Sequence, residues 1–112
     1  MTSLKAIVLD TEVLLNVAPE FDDRWDILRD FIAETRSDVA ELERALAAHD
    51  FPATVRLAHC IKGACAMVGA NELAEICATV EYLARQCVPQ AADNVKSAFD
   101  RLTACLGAAF GE

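Results

Sequence analysis

Hydrophobic residues recur every three or four positions along most of the chain, which is the period of an amphipathic α-helix. The clearest series predicts a first long helix over about residues 21–48, and its apolar positions are Phe21, Trp25, Leu28, Ile32, Thr35, Val39, Leu42 and Leu46. The series stops at residues 49–52, which predict a short connection to a second helix. Asp50 is suited to cap that helix, and Pro52 is tolerated in its first turn.

Three further helices are predicted from the same period. The second covers about residues 51–68 and stops at Gly69, a residue that readily takes the left-handed conformation of a helix C-terminus. The third starts with Asn71 as its cap and runs to about Gln86, and the fourth spans roughly residues 90–109.

Four amphipathic helices with short connections predict an all-α fold, an antiparallel up-down four-helix bundle over residues 20–110. Residues 1–19 are expected to form an N-terminal segment with a short extra helix near residues 10–17. Residues 6–9 also fit a short strand, but an isolated strand would have nothing to pair with. We therefore interpret residues 1–112 as one domain.

Charge excludes several classes of function. The 112 residues include ten Lys and Arg but eighteen Asp and Glu, a net charge of −8 that repels phosphate backbones and anionic lipids. No apolar run reaches the roughly 18 residues that a membrane span needs. Asp10 and Glu12 interrupt the apolar run of a signal peptide. We therefore expect a cytoplasmic protein without nucleic-acid or membrane partners.

Five cysteines form an odd set without C-x-x-C pairs or zinc-like spacing. All except Cys60 fall on the predicted apolar faces, so they are expected to be small buried core residues in a reducing compartment. No metal site is expected. Glycine-rich phosphate loops, H-E-x-x-H and nucleophile-elbow motifs are also absent from the sequence.

The candidate chemistry lies on the outward face of the second helix. At about 100° per residue, His59 projects away from the apolar series and shares its face with Val55, Arg56, Lys62, Gly63 and Ala66. A neutral imidazole is nucleophilic near pH 7 and can accept a phosphoryl group, whose oxygens Lys62 can reach from one turn away. A mid-helix glycine costs about 0.5–1 kcal/mol relative to alanine. Gly63 therefore indicates either room beside the ring or close helix packing, and an incidental surface histidine also fits the pattern.

The motif Ala58-His59-x-x-Lys62-Gly63, followed by Gly69-Ala70-x-x-Leu73 and Cys77-x-x-x-Glu81, resembles the signature of histidine-containing phosphotransfer (HPt) domains. The resemblance covers about residues 20–88, and it includes the last helix only by architecture. It implies a phosphorelay intermediate in which His59 takes a phosphoryl group from a receiver aspartyl phosphate and passes it to another receiver. Lys62 would stabilise the phosphate, while Gly63 and Ala66 would keep the site accessible.

The resemblance also implies the partners. These are response-regulator receiver domains, with a hybrid histidine kinase as a further candidate, and Mg²⁺ is expected on the receiver, with no cofactor on this chain. The protein would be a monomeric phosphocarrier without a nucleotide site of its own. Either Arg85 or Glu81 is a candidate for a polar group near the phosphate. The hypothesised docking surface has its candidates at Val55, Arg56, Met67, Leu14 and Val17.

An alternative interpretation is a helical adaptor that is not phosphorylated and that binds or sequesters a receiver. The presence of His59, Lys62 and Gly63 together argues against it, because an adaptor could dispense with all three.

Overall fold

Four α-helices make up most of the part of the chain that the computed structural model describes, which is residues 8–10, 12, 13, 16 and 21–110. The helices are α1 (Phe21–Ala47), α2 (Phe51–Val68), α3 (Asn71–Arg85) and α4 (Asp93–Phe110). The prediction of an all-helical fold is confirmed, and every helix boundary lies within one turn of its predicted position. Within the described ranges, no helix combines the length and the apolar character that crossing a membrane requires.

The helices form a closed bundle in which each packs against the next and α4 returns to α1. Neighbours run antiparallel, as the contacts between α3 and α4 demonstrate. Arg101, midway along α4, donates to Glu72 at the start of α3 (2.7 Å), whereas Gln90, just before α4, donates to the carbonyl of Val80 in the second half of α3 (3.0 Å). The predicted four-helix bundle is therefore confirmed.

The core contains most of the apolar side chains predicted for each helix, and α1 illustrates the differences. Leu28, Val39 and Leu42 are almost completely buried, and Phe31 is buried with them. Trp25 and Ile32, placed on the apolar series by the sequence, are only half-buried. The reason is geometric, because an ideal helix drifts relative to a strict seven-residue repeat and a long helix cannot keep every member of such a series inside.

Two connections have the chemistry that the sequence predicts. At the start of α2, the Asp50 carboxylate accepts a hydrogen bond from the backbone N–H of Ala53 (3.2 Å). At the end of α2, Gly69 takes a left-handed conformation with φ of 77°, and its N–H donates to the carbonyl of Cys65. Both helix ends are thus closed by local bonds.

Two local predictions are wrong. Asn71 does not cap α3, because it is the first residue of that helix; Ala70 is the N-cap and provides no side-chain bond. Cys87 is exposed, although the sequence places it on the apolar face of α3. That helix ends at Arg85, and Cys87 lies in the following turn with φ of 58°, so the helical period no longer sets its direction.

Residues 8–10 pack against the connection between α2 and α3. Val8 and Leu9 are buried, and the N–H of Asp10 donates to the carbonyl of Gly69 (2.7 Å). Half of the positions of the extra helix predicted near residues 10–17 lie outside the described residues, and so do the docking candidates Leu14 and Val17.

Gly69→Ala is expected to destabilise the fold by about 1–3 kcal/mol. A Cβ atom at this position would lie 2.2 Å from the carbonyl oxygen of Asp10, and the positive φ adds strain. The measurement is the free energy of unfolding by urea. Gly63→Ala is the matched control, because a Cβ there has nothing within 4 Å, and a gain of about 0.5–1 kcal/mol is expected. Equal effects in the two variants would contradict this assignment.

Candidate functional site

His59 lies on the solvent-facing side of α2, and 65% of its side chain is exposed. The buried residues of the same helix explain this orientation, since Thr54, Leu57, Ala58, Ile61, Cys65 and Val68 all face the core. A side chain on the opposite side of a 3.6-residue period has to point outward. The ring nevertheless leans toward α3, where it meets a partner.

That partner is Glu81, a carboxylate on α3 with only 9% of its side chain exposed. Its Oε1 atom accepts a hydrogen bond from Lys62 Nζ (3.0 Å) and lies 3.3 Å from His59 Nδ1. Its Oε2 atom accepts from Arg85 Nη2 (2.8 Å). One buried acid therefore joins three nitrogen-bearing side chains from two helices, and we call these four residues the Glu81 network.

The hydrogen bonds from Arg85 and Lys62 lower the pKa of Glu81 to about 2, with a smaller contribution from His59, although burial acts in the opposite direction. Glu81 is therefore a carboxylate at neutral pH and can only accept hydrogen bonds. A neutral His59 that bonds to Oε1 must carry its proton on Nδ1. Its Nε2 lone pair then remains available for chemistry.

The surface beside the ring is open at the two positions that the sequence predicts. A Cβ atom added to Gly63 would have nothing within 4 Å, and Ala66, one turn further, is exposed. Close packing against another described part of the chain therefore does not explain Gly63. The space beside the ring at Gly63 is therefore open.

Two apolar side chains and one basic side chain of α2 lie on the same side of the helix as this opening. Met67 is 61% exposed, Val55 is half-buried and Arg56 is exposed. The sequence pattern does not single out Tyr82, which follows Glu81 and is 63% exposed. Tyr82 lines a shallow cleft of about 220 Å³ together with Lys62, Ala78, Glu81 and Arg85.

The sequence names Glu81 and Arg85 as alternatives, whereas the structure brings both into one network. A signal for Glu81 is present in the sequence, because it lies four residues after Cys77 and three before Ala84, both on the buried face of α3. An acid on a buried face requires charged or hydrogen-bonding partners. Arg85 lies one turn away on the same helix, whereas the two partners on α2 follow only from the packing of α2 on α3.

The other polar and sulfur-containing side chains indicate no second site. In the described ranges, no three His, Cys, Asp or Glu side chains are grouped as they would be around a metal ion. All five cysteines are free thiols. Burial raises the pKa of both Cys65 and Cys77 to about 12, so these two thiols stay protonated in the core.

Glu81→Gln is expected to make the free energy of unfolding depend less on pH below about pH 4.5. Because the pKa of Glu81 falls from 4.5 to about 2 on folding, its contribution is complete above pH 4.5 and is lost as the pH drops from 4.5 toward 2. We expect a difference of about 1 kcal/mol, since its partners are screened by solvent. Urea unfolding at several pH values measures it. A Glu81→Gln protein whose stability falls between pH 4.5 and pH 2 as steeply as that of the wild type would contradict the assignment.

Comparison with known proteins gives one family. The model of that family, the Hpt domain, matches residues 26–109, from within α1 to near the end of α4. No curated protein and no solved structure matches the chain.

Proposed function

The chain belongs to the Hpt domain family, and from this premise we propose that it is a phosphotransfer protein of a multistep phosphorelay with His59 as its phosphoacceptor. Domains of this family act in histidine phosphotransfer and bind receiver domains. The observation that carries the proposal is the state of His59, an exposed imidazole whose Nδ1 lies against the Glu81 carboxylate. This arrangement leaves Nε2 as the nucleophile.

The reaction at His59 needs no proton acceptor. The Nε2 lone pair attacks the phosphorus of the receiver's aspartyl phosphate, and an N–P bond forms. The P–O bond to the aspartate breaks, and its electron pair leaves on the carboxylate oxygen. Nδ1 keeps its proton, so the phosphorylated ring is cationic and the Glu81 carboxylate stabilises it. The same steps in reverse, onto a second receiver, release the phosphoryl group.

Lys62 supplies the charge that the phosphoryl group requires. Its ammonium is held 3.0 Å from Glu81 Oε1, on the same carboxylate as the His59 ring, and 37% of its side chain is exposed. A lysine is a mobile point charge with three donors, so it can bond phosphoryl oxygens next to the ring. Phosphoryl transfer depends mainly on positioning and on neutralising charge.

The receiver docks over the opening at Gly63 and Ala66 in this proposal. Val55, Arg56 and Met67 contact it from α2, and Tyr82 adds an exposed aromatic ring from α3. The receiver brings the Mg²⁺ ion and the aspartate, and a hybrid histidine kinase can supply such a receiver. The chain then acts as a monomeric phosphocarrier in the cytoplasm, a setting that its five free thiols support.

The test is transfer from a receiver domain charged with acetyl phosphate. We expect an acid-labile phosphate on this chain, and ³¹P–¹⁵N coupling in a histidine-labelled sample should place the phosphorus on Nε2 of His59. Phosphorus on Nδ1 would contradict the role given to Glu81. A receiver that binds without transferring its phosphate would favour the alternative of an adaptor that sequesters receivers.

A further inference from the structure

The Glu81 network contains two cations for one carboxylate. We propose that Arg85 is a positioning residue that holds Glu81, so that Lys62 can leave the carboxylate for the phosphoryl group on His59. This inference rests on the proposed function, because it concerns the same site. It assigns different tasks to two side chains that contact the same acid.

The geometry separates the two cations. Arg85 binds Oε2 at 2.8 Å, whereas Lys62 and the His59 ring share Oε1 at 3.0 and 3.3 Å. Arg85 is also four residues after Glu81 on the same helix, so this pair does not depend on how α2 packs. When Lys62 leaves, Oε2 keeps its cation and Oε1 keeps the Nδ1 proton of His59.

Burial explains why one cation has to remain. Glu81 has only 9% of its side chain exposed, so water provides little compensation for its charge. If Arg85 were absent, Lys62 would be the only cation of the Glu81 network while the His59 ring is neutral, and it would be held on the carboxylate. The arriving phosphoryl group brings up to about two negative charges and would compete with Glu81 for that one ammonium. With Arg85 in place, the competition disappears.

The Lys62 side chain is also more mobile than the Arg85 side chain, as the inference requires. Lys62 has a flexible four-carbon stem and a single charged nitrogen that is free to rotate between acceptors. Arg85 has a planar group with a fixed set of donors, which suits a lasting bond to a carboxylate. The residue that moves and the residue that stays therefore follow from the chemistry of the two side chains.

A double-mutant cycle with Arg85→Gln and Lys62→Gln tests the inference. We expect Arg85→Gln to slow phosphoryl acceptance about three- to tenfold, a range set by one solvent-screened bond to a charged group. Lys62→Gln should slow phosphoryl acceptance more in the wild type than in the Arg85→Gln background, because in that background Lys62 is already held by Glu81. If the rate of the double variant is lowered by the product of the two single reductions, the two residues act independently and the inference is overturned.

Two matched variants complete the design. Arg85→Lys retains a cation four residues from Glu81 and should restore most of the rate. Arg101→Gln removes an ion pair of similar exposure, with Glu72 at 2.7 Å, and should leave the rate unchanged. A loss of rate in Arg101→Gln equal to that in Arg85→Gln would show a general charge effect and overturn the specific role.

A spectroscopic readout separates positioning from simple structural support. On phosphorylation, the ¹⁵N resonance of the Lys62 ammonium should shift in the wild type and stay nearly unchanged in Arg85→Gln. Equal shifts in both proteins would overturn the inference while leaving the proposed function intact. A wild-type chain that no phosphorylated receiver labels would overturn the proposed function and this inference together.

Discussion

His59→Gln is expected to abolish phosphoryl acceptance while leaving the fold intact. The glutamine amide is polar and of similar length, but it has no nucleophilic nitrogen, so the N–P bond cannot form. The His59 side chain is 65% exposed, and Glu81 keeps its bonds to Lys62 and Arg85. The change in unfolding free energy should therefore stay within about 0.5 kcal/mol. Transfer of ³²P from a labelled receiver measures the loss of acceptance, and urea unfolding checks the fold.

His49 provides the internal control for this experiment. It is exposed in the connection between α1 and α2, where its ring stacks on Phe51 with the centroids 6.3 Å apart. Its φ of 53° favours asparagine as the replacement, because asparagine tolerates the left-handed region. His49→Asn should be labelled as strongly as the wild type. Label that persists on His59→Gln would falsify the assignment of the phosphoacceptor.

Gly63→Gln is expected to have opposite effects on stability and transfer. A Cβ atom at Gly63 would have nothing within 4 Å, and glutamine is a better helix former than glycine, so stability should rise by about 0.5–1 kcal/mol. The same side chain lies one turn from His59 and occupies the opening that the phosphoryl group and the receiver need. Transfer should fall roughly 100-fold or more, because a small displacement of reacting groups has a cost of this order.

The two measurements for Gly63→Gln are urea unfolding and the initial rate of transfer from a phosphorylated receiver. Ala104→Gln places the same side chain on an exposed position of α4 and should leave the rate unchanged. A wild-type rate of transfer in Gly63→Gln would contradict the role proposed for the opening at Gly63. A protein that is less stable as well as slower would indicate that the glycine supports the fold instead.

The two glycines illustrate how far the sequence reaches. The sequence predicts Gly69 as the end of α2, and the structure adds a second constraint, the carbonyl of Asp10, which belongs to a segment far away along the chain. For Gly63, the sequence leaves open the choice between helix packing and access. The structure excludes packing against the described residues, because a Cβ atom at Gly63 would have nothing within 4 Å.

The two wrong local predictions, for Cys87 and Asn71, also arise because the sequence does not specify tertiary geometry. Cys87 fits the apolar period of α3, but the period has no meaning once the helix has ended at Arg85. Asn71 is a suitable cap by residue type, but the connection between α2 and α3 is short and its backbone bonds place Ala70 at the cap position. In both cases a local preference yielded to the geometry of the connection.

The sequence by itself determined four helices, their approximate ends and the outward direction of His59, because these depend on the 3.6-residue period and on capping within a few residues. The tertiary structure alone decided that Glu81 joins His59 and Lys62. His59 and Glu81 are 22 residues apart on two helices. Their contact depends on how far α3 is shifted along α2 and on the angle between them, which no period within a single helix can specify.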